Sequence, residues 1–279
     1  MQAVKAEKKA SVLSQHHVLI DDVDRRFLTN ADHVDPDEAE LIVIWAHDGN
    51  VAQGQAAESM AHRITPKRKR VDVFPNALAA KDGTARWIRP DEPWLPTGVD
   101  EHHDFRFIRS IVDWALELFP GVDIVFAGYA AGAGFYMCWA TCEEHLPFDG
   151  VALVKNALLE EEINDAGEWD VMSLALPRLF YWYSAGDPKV DTDPPKTHYE
   201  DTAAAFVHVY NLDVSHPEVS RFVCGEHPVT VSEYDVAKTD SYQAEVAIYA
   251  EESRTHAWLN CIDEHIDRFF RRGSSVRRS

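Results

Sequence analysis

The residues Gly128-Tyr129-Ala130-Ala131-Gly132 have the glycine spacing that usually frames a nucleophilic serine on a sharp strand-to-helix turn. In such an elbow the flanking glycines let the chain bend, and the central residue sits in a strained backbone conformation. The helix that follows aims its first amides at the same point, so the N–H of Ala131 would face a developing oxyanion. The central residue here is an alanine, which has no nucleophile. The same composition suits an ordinary Gly/Ala turn that lets a helix pack closely on a sheet. This stretch alone favours neither reading. It is not a phosphate-binding loop, because Gly-Lys-Ser/Thr is absent. Its Gly-x3-Gly-x-Gly spacing does not match the dinucleotide fingerprint either.

The elements that would position this turn alternate between strand and helix. Residues 40–47 (ELIVIWAH) form an apolar run fit for a strand buried on both faces, and 71–75 (VDVFP) a shorter one closed by Pro75. Residues 76–103, rich in Pro, Asp, Trp and Gly, read as a long loop, and loops of that length tend to be functional. Asp104 can cap a helix over 105–119, where Phe105, Ile108, Val112, Ala115, Leu116 and Phe119 recur at helical spacing. Pro120 and Gly121 end it. A strand over 122–128 leads into the turn, and a helix over about 132–144 follows. Residues 148–156, 178–186 and 245–252 read as further strands, before a closing helix over 257–272. Strands separated by helices predict a mostly parallel sheet covered on both faces, with function at the carboxyl ends of the strands.

Five motifs in order carry a resemblance. VDRRFLTNADHVDPDEAELIVIWAHDGN has a strand with an Arg, a loop, and a strand ending in His. HHDFRFIRSIVDWAL is a helix ahead of the elbow strand, and LPRLFYWYSAGDPKVD is a strand ending at an Asp. EVAIYAEESRTHAWLN is a last strand followed by His-x-Trp, and IDRFFRR is a terminal helix. Together they resemble the α/β-hydrolase superfamily and, within it, the polyhydroxybutyrate depolymerases and feruloyl or acetylxylan esterases. The resemblance spans 23–272 and leaves 1–22 as an N-terminal extension and 273–279 as a basic tail. It implies an α/β-hydrolase fold with a mostly parallel central sheet and helices on both faces. It also implies a serine esterase acting on a small or polymeric ester, with no cofactor.

By the resemblance, Ala130 occupies the nucleophile's position, Asp187 the acid's and His256 the base's, in the chain order this fold uses. Ala131 and the Asp48–Gly49 loop would donate the oxyanion N–H groups. Read as residues alone, Asp187 also suits a turn aspartate before Pro188, and His256 a surface loop histidine. The family's His-Gly is HDG at 47–49 here, which brings a carboxylate toward developing negative charge. The family's Pro-Gly after the His-x-Trp is lost in HAWLN, and the turn before the acid is altered in YSAGD. Without an Oγ at 130 no acyl-enzyme can form. Two histories fit: a Ser→Ala inactivation, favoured by the intact Asp187 and His256, or a natural pseudoenzyme that binds an ester or a small hydrophobic ligand without turnover.

Trp87, Trp94, Tyr129 and Trp258 lie where they could line an acyl or alcohol pocket by stacking, although loop anchoring and core packing would use the same residues. No metal is expected. Cys138, Cys142 and His145 lack a fourth ligand, and the adjacent pairs His16–His17 and His102–His103 point in different directions. Cys138, Cys142, Cys224 and Cys261 suit small core positions or one or two disulfides, and spacing does not choose between them. The formal charge of −20 repels phosphate backbones and anionic lipid, which argues against nucleic acid or a membrane as partner. PKRKR at 66–70 reads as a solvated basic loop, and the polar start of the chain does not read as a secretory signal.

Overall fold

A strand covered on both faces can be apolar throughout. The runs LIVIWA, IVFAGY, GVALV and RLFYWYS are buried at every position. The computed structural model describes residues 13–49, 51–52, 54–88, 95, 98–140, 146–158, 177–187, 198–212, 217–235 and 245–274. Strands β1 (Ser14–Ile20), β2 (Val23–Thr29) and β3 (Leu41–Ala46) precede helix α1 (Ala56–Ala61). Next come β4 (Arg70–Pro75), the short pair β5 (Leu78–Ala79) and β6 (Ala85–Arg86), and helix α2 (His103–Leu118). Strand β7 (Ile124–Tyr129) leads directly into α3 (Ala131–Ala140), followed by β8 (Gly150–Val154), β9 (Arg178–Ser184) and α4 (Tyr199–Val209). The chain closes with β10 (Glu218–Cys224), β11 (His227–Asp235), β12 (Glu245–Glu251) and α5 (Ile262–Ser274).

Ten strands form one sheet in the order β1-β2-β4-β3-β7-β8-β9-β12-β11-β10. The run from β4 to β12 is parallel, and each edge is finished by antiparallel strands. Successive side chains of a strand point to opposite faces. Ile42, Ile44 and Phe126 therefore pack with α2, α3 and α4, while Val43, Trp45 and Val125 pack with α1 and α5. The carboxyl ends of β3, β7, β8, β9 and β12 meet along one rim.

Several expectations change. The stretch read as an N-terminal extension supplies β1, which pairs with β2 along its whole length. The long loop over 76–103 contains the β5–β6 hairpin. Asp104 does not cap α2. It lies buried inside the first turn, where its carboxylate accepts from Arg25 at 2.6 Å and from the Ile88 amide at 2.7 Å, and so ties β2, the long loop and α2 together. The basic run 66–70 is only partly solvated. Arg68 is exposed, but Arg70 is buried at the start of β4, bonded to Asp72 at 2.7 Å and to Asp267 at 3.2 Å. Strands β10 and β11 have no counterpart among the strands expected from the sequence. A disulfide joins Cys224 to Cys261 and so links β10 to the approach to α5, while Cys138 is buried. Cys142 and His145 lie outside the described residues. Among the described residues no helix is long and apolar enough to cross a membrane.

Candidate active site

Ala130 sits between the last residue of β7 and the first of α3, with φ at +49°. An alanine there costs about 1–2 kcal/mol, because its Cβ crowds the following carbonyl. The neighbours hold it in place: its N–H donates to Val154 O at 2.8 Å, and its carbonyl accepts the Gly134 amide at 3.0 Å. The two glycines are required by close approach. A Cβ on Gly128 would stand 2.5 Å from Ala133 N, and one on Gly132 would stand 2.5 Å from Ala46 O. The sharp bend and the tight seat of α3 against β3 therefore exclude any side chain at either position.

Strand β9 ends at Ser184, and a turn through Gly186 (φ +79°) delivers Asp187, which is buried. Strand β12 runs parallel beside β9, so the chain leaving β12 emerges at the same rim and carries His256 to Asp187. His256 Nδ1 lies 2.6 Å from Asp187 Oδ2. A carboxylate only accepts, so Nδ1 carries a proton, and in the neutral imidazole that tautomer leaves the lone pair on Nε2. The Tyr199 hydroxyl, at the start of α4, donates to the same carboxylate oxygen at 3.1 Å. The Tyr129 hydroxyl, next in the chain to Ala130, donates to the His256 carbonyl, and the two rings lie 5.7 Å apart. Elbow, carboxylate and imidazole loop are thus brought to one rim of the sheet.

The loop after β3 packs against the start of α3. His47 is buried; its Nδ1 bonds the Asp48 carbonyl at 2.7 Å, and its Nε2 accepts the Ala77 amide at 3.1 Å. Burial lowers its pKa to about 4. Trp87 donates its indole N–H to the His47 carbonyl at 2.9 Å. So held, Gly49 packs against Ala131, where an added Cβ would stand 3.2 Å from the Ala131 Cβ. The half-buried Asp48 lies close enough to Tyr129 to add its charge to burial, which together push the phenol up to about 12.

The aromatic residues mostly serve packing. Trp87, expected as a pocket residue, is 3% exposed and lies between His47 and Phe135 in the core. Tyr129 is also buried and faces the histidine loop rather than an open pocket, with the Arg63 guanidinium over its ring. Trp258 is half-buried and meets Tyr129 and Trp45 edge-on. Trp94 lies outside the described residues. Tyr199 and Lys155, the latter hydrogen-bonded to the histidine loop, were not anticipated. Lys155 acts on carbonyls about 100 residues away and Tyr199 on a carboxylate 12 residues before it, across the end of β9, relations that leave no motif. Among the described residues, no three His, Cys, Asp or Glu side chains gather as a metal site requires.

No protein-family model and no curated protein sequence matches the chain. Solved structures do resemble it. An acetyl xylan esterase from Aspergillus awamori superposes with a TM-score of 0.52 at 13% identity, covering 92% of this chain and 99% of that one. A Thermus thermophilus protein gives 0.55 at 11% identity, covering 93% and 97%. A carboxylesterase from Mesorhizobium loti gives 0.50 at 14% identity, covering 91% and 98%. At such identities the likeness is one of fold, and the chain has the α/β-hydrolase fold.

Proposed function

We propose that this chain is a carboxylic ester hydrolase of the depolymerase and feruloyl esterase type in a form that lacks its serine nucleophile, inactivated by Ser→Ala at position 130. The observation that carries this reading is the 2.6 Å Asp187–His256 pair, whose histidine loop is bonded by Tyr129, the residue before a turn residue at φ +49°. A backbone strained in this way is what a nucleophile elbow uses to present an attacking Oγ. With Ser at 130, Oγ attacks the ester carbonyl while His256 Nε2 takes its proton. Asp187 holds the tautomer and stabilises the imidazolium. The Ala131 N–H and the 47–49 loop hold the oxyanion. The alcohol leaves with the proton from His256, and water, activated by the same base, releases the acid. Asp187 and His256 keep the pattern's acid and base, which favours a single Ser→Ala loss.

The test is Ala130→Ser assayed with p-nitrophenyl acetate. Hydrolysis should rise roughly a hundredfold or more over the chain as encoded, and adding His256→Ala should return it to baseline. No gain from the serine would count against the reading.

A natural pseudoenzyme is the second reading, and Asp48 favours it, because a carboxylate on the oxyanion loop opposes the charge that develops there. In that case the restored serine stays silent, while an ester that remains intact raises the thermal midpoint.

A further inference from the structure

We propose that Lys155 is a positioning residue for His256: its buried ammonium fixes the backbone on which the imidazole is carried. The inference rests on the ester hydrolase reading above. Lys155 follows β8 directly, its φ is +54°, and its side chain is wholly buried. An ammonium has three protons to donate. Here they meet Thr255 O at 3.0 Å, Ala257 O at 2.7 Å and Glu251 Oε2 at 3.0 Å. Glu251 is likewise wholly buried. It accepts the Trp182 indole N–H at 2.9 Å through one oxygen and the Ser253 hydroxyl through the other.

The two carbonyls on Lys155 flank His256, whose own carbonyl accepts the Tyr129 hydroxyl. Three successive carbonyls of the histidine loop are thus gripped by residues at the carboxyl ends of β7 and β8. Those strands also build the elbow and accept its amide, so the grip ties the base to the nucleophile's position rather than to the core at large. Because the ammonium's protons are all engaged, Lys155 reaches neither substrate nor imidazole directly. A buried ion pair is a poor device for stability, since apolar residues of similar volume commonly replace one without loss. Such residues would fill the space yet give the 255 and 257 carbonyls no donor.

The test compares the chain with Lys155→Met and with Lys155→Met/Glu251→Leu. The double variant leaves no orphaned charge. The first readout is the low-field proton NMR signal of His256 Nδ1–H against Asp187, recorded with Ala130 in place, together with the thermal midpoint. The second is p-nitrophenyl acetate kinetics in an Ala130→Ser background. We expect the double variant to keep its midpoint and lose the signal. We expect kcat to fall about a hundredfold, as a misplacement of about 1 Å can cause, with KM within about twofold. A low-field signal that persists in the folded double variant overturns the proposal. So does unfolding of the double variant, which would make the pair a prop of the core. If Ala130→Ser is silent, the hydrolase reading fails, and the NMR comparison still decides the role of Lys155.

Discussion

His47 makes its two hydrogen bonds only as the neutral imidazole. Nδ1–H donates to the Asp48 carbonyl, and Nε2 must accept from the Ala77 amide, which has nothing but a proton to offer. Burial, the largest cause, lowers its pKa from 6.5 to about 4. The folded state therefore binds fewer protons than the unfolded state between those values. The stabilisation is complete above pH 6.5 and drains away as pH falls toward 4. The sum is about 2 kcal/mol between pH 7 and pH 5. Urea unfolding at both pH values should show this slope, flattened in His47→Gln, while His103 and His265, shifted the same way by burial, supply a common background. Equal slopes in the two proteins would refute the assignment. The same scale shows what a sequence can carry about a site. Ala130, Asp187 and His256 are legible as candidates because each lies just past a buried strand, in an order the fold imposes. Lys155 and Tyr199 are not, because each is defined by its partners: two backbone carbonyls about 100 residues away, and a carboxylate across the rim.

At the scale of elements, the seat of α3 on β3 decides whether the elbow exists. Gly132 is the helix's second residue, and a Cβ there meets the backbone of Ala46, which belongs to the sheet and has little room to move. Gly132→Ala should cost about 1–3 kcal/mol, as overpacking does, and should displace α3 from the 47–49 loop. Denaturant unfolding measures the first effect. A variant as stable as the parent would show that the helix slides freely. The strands flanking this junction were legible for the same reason that they are rigid: β3, β7, β8 and β9 are covered on both faces and therefore read as unbroken apolar runs. The edges were not legible. Strand β10 is exposed over most of its length, and β1 alternates between partly buried and exposed residues, so neither carries an apolar run. Their pairing is set by neighbours in the sheet, information that a window of seven residues does not contain. The role of Asp104 was misread in a related way. A carboxylate near a helix start is a capping signal only when no buried cation competes for it, and Arg25 arrives from 79 positions away.

Over the whole molecule, 47 acidic side chains stand against 27 basic ones, a formal charge of −20 at pH 7. Such an excess repels itself more strongly in the compact state than in the expanded chain and so opposes folding. Salt screens this repulsion, but it also screens attractive pairs, and the balance depends on where those pairs lie. The strong ones here are buried: Arg25–Asp104 at 2.6 Å, Arg70–Asp72 at 2.7 Å and Lys155–Glu251 at 3.0 Å, each with both side chains nearly inaccessible to solvent. Ions reach them poorly. The exposed pairs, such as Arg68–Glu38, are worth about 0–1 kcal/mol at most and lose little when screened. Repulsion is therefore what salt removes, and the thermal midpoint at pH 7 should rise steadily as KCl goes from about 0.05 to 1 M, across which the screening length falls several-fold. The same series near pH 5, close to the sequence pI of about 5.0, removes the net charge and should flatten the rise. A midpoint that falls with salt at pH 7 would mean that solvent-accessible ion pairs hold the fold. A rise of equal size at both pH values would assign the effect to the salt's action on apolar surface rather than to charge.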